Sequence, residues 1–94
     1  MGETKHDRIA KHIAKRKGTV YHSDEGVDVR TPTQAIEVEV DPATFAEGIQ
    51  QLQGSRKARY LAVPNEFVGE AKERTEGTGV GVMNEHGTIK KRAR

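Results

Sequence analysis

Apolar residues near the start of the chain recur at helical spacing. Ile9, Ala10, Ile13 and Ala14 form an i, i+1, i+4, i+5 stripe with Gly18 placed as the stop, which predicts a helix from Lys5 to Lys17. The pattern then shortens to three β-type runs, Thr19 to His22, Val27 to Arg30 and Gln34 to Val40. Turn-rich Ser23-Asp24-Glu25-Gly26 and Thr31-Pro32-Thr33 separate them, the signature of an antiparallel meander. Asp41-Pro42 reads as a helix start, with Phe45, Ile49 and Leu52 at helical spacing until Gly54. Arg59 to Val63 is a strand closed by Pro64. Because a helix separates it from Gln34 to Val40, the two strands are expected to lie parallel. Asn65 is placed to cap a third helix through Phe67, Val68 and Ala71, which Gly77 and Gly79 end. A strand near Val80 to Met83 follows, and the turn Asn84-Glu85-His86-Gly87 leads into a hairpin strand over Thr88 to Lys91. The expected order is α-β-β-β-α-β-α-β. It describes one α/β domain over residues 1–94, with a central mixed sheet flanked by helices and a basic tail at 90–94.

Composition narrows the picture. Leu, Ile, Val and Phe supply only 18 of 94 residues, so the core is thin. The 16 basic and 14 acidic residues nearly cancel, and the regular apolar patterns favour folding over disorder. No cysteine is present, which excludes disulfides, Cys-based zinc sites and Cys nucleophiles. No apolar run reaches membrane-spanning length and MGETKHDR has no signal-peptide core, so a cytoplasmic protein with no membrane partner is expected.

Alternation puts Ile36, Val38 and Val40 on one strand face and Glu37 and Glu39 on the other. With a turn centred on Pro32-Thr33, paired positions sum to 65, so Asp28 falls opposite Glu37 and diagonal to Glu39. Three carboxylates on one face repel one another and call for a counter-charge. A hard divalent cation with oxygen ligands is the commonest, although Arg30, Lys57 or Arg59 could instead pair with the glutamates on a solvated sheet face.

GVDV, IEVEV, the DP-capped helix and the YLAVP strand, in this element order, resemble the PD-(D/E)XK nuclease superfamily. The likeness is strongest to its minimal Holliday junction resolvase-like and endonuclease-like members. The motifs cover roughly Asp7 to Pro64, and element order carries the remainder. The resemblance implies a restriction-endonuclease-like fold and a metal-dependent DNA endonuclease, with DNA as partner and Mg²⁺ or Mn²⁺ as cofactor. Asp28 and Glu37 would be ligands, joined by the Val38 carbonyl and by an acid on the first helix, best matched by Asp7, with Glu3 the weaker match. The family's lysine is replaced by Glu39, which would serve as base or recruit a second metal, unless Lys57 or another lysine substitutes. The alternative is a degenerate site on a non-catalytic nucleic-acid-binding or regulatory domain. Small nucleases of this kind commonly form homodimers.

Basic residues cluster at both ends of the chain. Lys11, Lys15 and Arg16 on the first helix and Lys90, Lys91, Arg92 and Arg94 in the tail are the candidate phosphate contacts. A solvated helix face and a frayed end would give the same pattern. Gln50 and Gln51 are weaker candidates for the reaction centre. Among the four histidines none has zinc-type spacing, and His22, on the run leading into the acidic turn, is the one placed closest to the acids. Gly77-Thr78-Gly79-Val80-Gly81 follows a helix and lacks the Lys-Ser/Thr of a P-loop, which makes it a helix stop and strand start. Residues Lys5 to Gly54 also match the α-β-β-β-α order of double-stranded-RNA-binding domains, but the three acids have no use there.

Overall fold

In the computed structural model, which describes residues 3–22 and 27–94, the Thr4 hydroxyl accepts the Asp7 backbone N–H and opens α1 (Lys5–Arg16). Gly18, at φ +72°, turns the chain out of the helix while the Thr19 N–H donates back to the Ala14 carbonyl. The sheet strands are β1 (Val29–Arg30), β2 (Gln34–Val38), β3 (Ala58–Ala62), β4 (Gly81–Met83) and β5 (Ile89–Lys91), arranged in that order. β1 pairs with β2 and β5 with β4 antiparallel, while β2, β3 and β4 run parallel. Helix α2 (Phe45–Leu52) connects β2 to β3, and α3 (Val68–Arg74) connects β3 to β4. The α/β class and the mixed sheet agree with the sequence pattern.

The expected strand Thr19 to His22 does not form. Tyr21 makes a single bridge to Val29, because the helix exit occupies Thr19 and Val20 stands 64% exposed. The intervening turn at 23–26 lies outside the described residues. Asp41 caps as expected by accepting the Ala43 N–H, but Pro42–Thr44 is a 3-10 turn before the α-helix proper. Asn65 is not a cap. Pro64 takes that position before a second 3-10 turn, Asn65–Phe67, and the Asn65 N–H donates to Glu85 Oε1. Lys90–Arg94 is not a frayed tail either. Its first two residues belong to β5, and the Arg94 N–H donates to the Gly79 carbonyl.

The sheet separates two apolar clusters. On one face Ile9, Ala10, Ile13 and Ala14 of α1 cover Val29, Ile36, Val38, Tyr60, Ala62 and Met83. On the other, Phe45, Leu52 and Ala71 of α2 and α3 cover Ala35, Leu61, Val63, Val80 and Val82. With Ile36 and Val38 committed to the first face, alternation directs Glu37 and Glu39 to the second. Among the described residues no helix is long and apolar enough to cross a membrane.

Candidate functional site

The register decides the site. Val29 pairs with Ile36 and Arg30 with Ala35, so pair numbers sum to 65 and Asp28 stands opposite Glu37 at the point where β1 gives out. The Asp28 backbone N–H donates to Glu37 Oε1 at 3.1 Å, and Asp28 Oδ2 accepts the Val38 N–H at 2.9 Å. The Asp28 side chain thus takes the place of the next backbone rung and ends the ladder. Because the N–H and C=O of one strand residue point the same way, the Val38 carbonyl faces the same edge.

Glu39 lies one step further along β2. Its Oε1 accepts the Thr44 hydroxyl at 2.5 Å, and its side chain lies against Gly48 of α2. A Cβ at Gly48 would sit 2.7 Å from Glu39 Cγ, so the missing side chain is what admits the glutamate between strand and helix. Burial and then the neighbouring Asp28 and Glu39 push the Glu37 carboxyl up to about 8. Glu39 is raised as well, chiefly by burial.

The counter-charge in the structure is His6. Its Nε2–H donates to Asp28 Oδ2 at 3.1 Å, and this bond, opposed by burial, raises the imidazole to about 9, so His6 is an imidazolium at neutral pH. Its Nδ1 lies 3.3 Å from the Tyr21 hydroxyl, which donates to Asp7 Oδ1 at 2.8 Å. Burial and the bond to Asp7 raise the phenol, while the phenol lowers Asp7. A chain of contacts therefore runs from Asp7 through Tyr21 and His6 to Asp28.

Asp28 is joined to Glu37 and Val38 as the pattern predicts, while Glu39 lies one step further along the same face of β2, bonded to Thr44. Asp7 is held one residue back, its Oδ1 3.6 Å from His6 Nδ1, which leaves His6 between it and Asp28. Glu3 instead accepts from Lys11 at 2.6 Å. His22 contributes a backbone N–H to the Asp28 carbonyl. Gln50 and Gln51 are exposed on α2, and neither side chain is hydrogen-bonded to the acids. Lys57 cannot stand in for the family lysine, because it lies at the far end of β2 and donates to the Thr31 carbonyl. Arg59 is likewise engaged elsewhere, by Gln53 and the Thr78 carbonyl.

Sequence reasoning missed His6, Tyr21, Thr44 and Gly48. A signal for His6 existed, since it precedes Ile9, Ala10 and Ile13 by three, four and seven residues and so shares the buried stripe. The basic candidates divide. Lys11 and Lys15 line a groove of about 490 Å³ with Asp7 and Tyr21, which reaches the acidic site only through the contacts of Asp7 and Tyr21 with His6. Arg16 turns away to the His86 carbonyl. Lys91, Arg92 and Arg94 border a separate cleft at the β5 edge that shares no residue with the groove. Among the described residues, no three His, Asp or Glu side chains form a ready metal cage. No protein-family model, curated protein or solved structure matches this chain.

Proposed function

We propose that the chain is a cytoplasmic, metal-dependent endonuclease that hydrolyses DNA phosphodiester bonds, with Asp28, Glu37 and Glu39 at its reaction centre. The observation that carries this reading is the convergence of the three carboxylates at the end of the β1–β2 ladder, close enough that Asp28 and Glu39 both raise Glu37. Their hard oxygen donors suit Mg²⁺ or Mn²⁺, and a bound dication would offset the burial and the repulsion that together raise Glu37. Asp28, Glu37 and the Val38 carbonyl would hold the ion. When bound, such an ion lowers the pKa of water and neutralises charge on a phosphate.

The remaining roles fall to the chain itself. Glu39, half-buried and oriented by Thr44, is placed to accept the proton of an attacking water, since a carboxylate with a raised pKa is a more effective base near neutrality. His6 shields Asp28 while the ion is absent and offers an N–H donor near a phosphate once Asp28 has a stronger partner. Lys11 and Lys15 flank the groove that Asp7 and Tyr21 also line and would supply phosphate contacts there.

One observation favours a second reading. Glu39 stands where the resembled family has lysine, which suits a domain that binds nucleic acid without cutting it. Cleavage of labelled duplex, single-stranded and branched DNA with Mg²⁺ or Mn²⁺ separates the two. Cleavage abolished by Asp28→Asn and by Glu37→Gln supports the enzyme. Absence of cleavage in the wild type, with activity appearing in Glu39→Lys, identifies a disabled site. No cleavage by either, together with no metal binding, removes the nuclease reading.

A further inference from the structure

A second charged feature lies at the opposite corner of the sheet, between the amino end of β4 and the carboxyl end of β5. The turn after α3 passes through Gly77 and Gly79 at φ +78° and +81°, a left-handed course that β-carbons would oppose. Facing it, the chain beyond β5 lies so close that a Cβ at Gly81, the first residue of β4, would fall 2.5 Å from the Ala93 nitrogen. The two segments enclose a cleft of about 410 Å³ bordered by Thr75, Gly77, Gly79, Lys91, Arg92 and Arg94.

The cleft is built rather than frayed. Thr75 is fully buried, its hydroxyl donates to the Ala71 carbonyl at 2.8 Å, and it accepts Lys91 Nζ at 2.9 Å. That bond holds the ammonium at the cleft wall. The Arg94 N–H to Gly79 carbonyl bond fixes the far side. Behind the turn, the Arg59 guanidinium packs onto Gly79, where a Cβ would lie 2.5 Å from Nη2. Four cations therefore surround one short turn, and among the described residues none of them is in an ion pair. Among the described residues, Glu76 is the one acidic side chain bordering the cleft.

We propose that this cleft binds a phosphate group, at a site separate from the acidic centre. Arg92 and Arg94 present planar forks that match phosphate oxygens two at a time, and Lys91 adds a fixed point charge. A monocarboxylate would leave most of the positive charge unbalanced, whereas a phosphate carrying two or more charges answers it. The site follows from the cations and the turn alone, so it stands whether or not Asp28 and Glu37 hold a metal.

The test is an amide-resolved NMR titration of the full chain with inorganic pyrophosphate at fixed ionic strength, with sodium chloride as control. The expected result is saturable shifts confined to Thr75–Val80 and Lys91–Arg94. Affinity should fall about tenfold in Arg92→Ala/Arg94→Ala and rise about threefold in Glu76→Gln. The amides of Val82 and Leu61 report that each variant keeps its fold. No saturation by about 10 mM pyrophosphate, or equal shifts at Lys11 and Lys15, overturns the site. So does an affinity that the double variant leaves unchanged. In a second arm, a short DNA duplex that shifts the same amides and is displaced by pyrophosphate identifies the phosphate as nucleic-acid backbone. Pyrophosphate binding without duplex binding identifies a free phosphorylated compound. Mg²⁺ or Mn²⁺ binding at the acidic centre should be unchanged in Arg92→Ala/Arg94→Ala, which keeps failure of this site distinct from failure of that one.

Discussion

At the carboxyl end of β2, hydrogen bonds join His6 to Asp28 and Asp28 to Glu37, and the charges of Asp28 and Glu39 act on Glu37. At the amino end of β4, Arg92 and Arg94 are exposed, Lys91 is held by Thr75, and among the described residues a single acidic side chain borders the cleft. The acidic corner holds charges that perturb one another because they are half-buried and close. The basic corner holds charges that water still screens, because Arg92 and Arg94 are exposed. The same sheet thus carries one site whose groups are integral to the fold and another whose groups are largely spare. Substitutions at the first corner should be felt in stability and at the second only in binding.

The largest expected contrast comes from Asp28→Ala against Arg92→Ala. Losing Asp28 strands the buried Val38 N–H and leaves the His6 imidazolium without its partner, a cost of about 2–4 kcal/mol. Arg92→Ala should stay within about 0.5 kcal/mol of wild type. Urea denaturation of both variants checks this, and equal losses would erase the distinction between the corners.

Next in size is the seam between Glu39 and α2. Gly48→Ala forces a methyl group to within 2.7 Å of Glu39 Cγ and 2.9 Å of Leu61 Cδ1, which should destabilise by about 1–3 kcal/mol. Glu39→Ala in the same background removes the clashes with Cγ and Oε2, leaves the one with Leu61, and should recover part of the loss. A double-mutant cycle by thermal melting reads that coupling.

A smaller effect is expected from pH, and its sign is fixed. Glu37 is raised from 4.5 to about 8, so the fold prefers its protonated form and stability declines as pH rises across that interval. His6 is raised from 6.5 to about 9, so its contribution is complete below 6.5 and is lost as pH rises through 9. Tm should therefore fall steadily from about pH 5 to about pH 9. Glu37→Gln should flatten the lower half of that decline and His6→Gln the upper half. A Tm that climbs over this range would contradict the acidic-corner electrostatics.

The smallest effect serves as a control on glycine. Gly69, inside α3, meets open space where its Cβ would be, so Gly69→Ala should stabilise by about 0.5–1 kcal/mol, opposite in sign to Gly48→Ala.

These contrasts also mark what the sequence made legible. The β1–β2 register and the shared face of Glu37 and Glu39 followed from strict alternation and a short Thr31-Pro32-Thr33 connection, and the structure keeps both. The parallel pairing of β2 with β3 followed from the intervening helix. The strand expected at Thr19 to His22 failed because local β propensity does not reveal that a helix exit will occupy Thr19. His6 was judged by histidine spacing, whereas its helical phase with Ile9 and Ile13 carried the information. Gly48 was invisible because a required absence of atoms leaves no periodic trace. The docking of Lys91 onto Thr75 depends on where two distant segments meet, which no local pattern encodes.

The central claim is that Asp28, Glu37 and Glu39 form a divalent-cation centre, and Mn²⁺ relaxation measured by NMR addresses it directly. Micromolar to millimolar Mn²⁺ should first broaden the amides of Asp28, Glu37, Val38 and Glu39, with Mg²⁺ competing and Asp28→Asn/Glu37→Gln abolishing the effect. Broadening that begins instead at exposed acids such as Glu66 and Glu70, or that persists unchanged in the double variant, would contradict it.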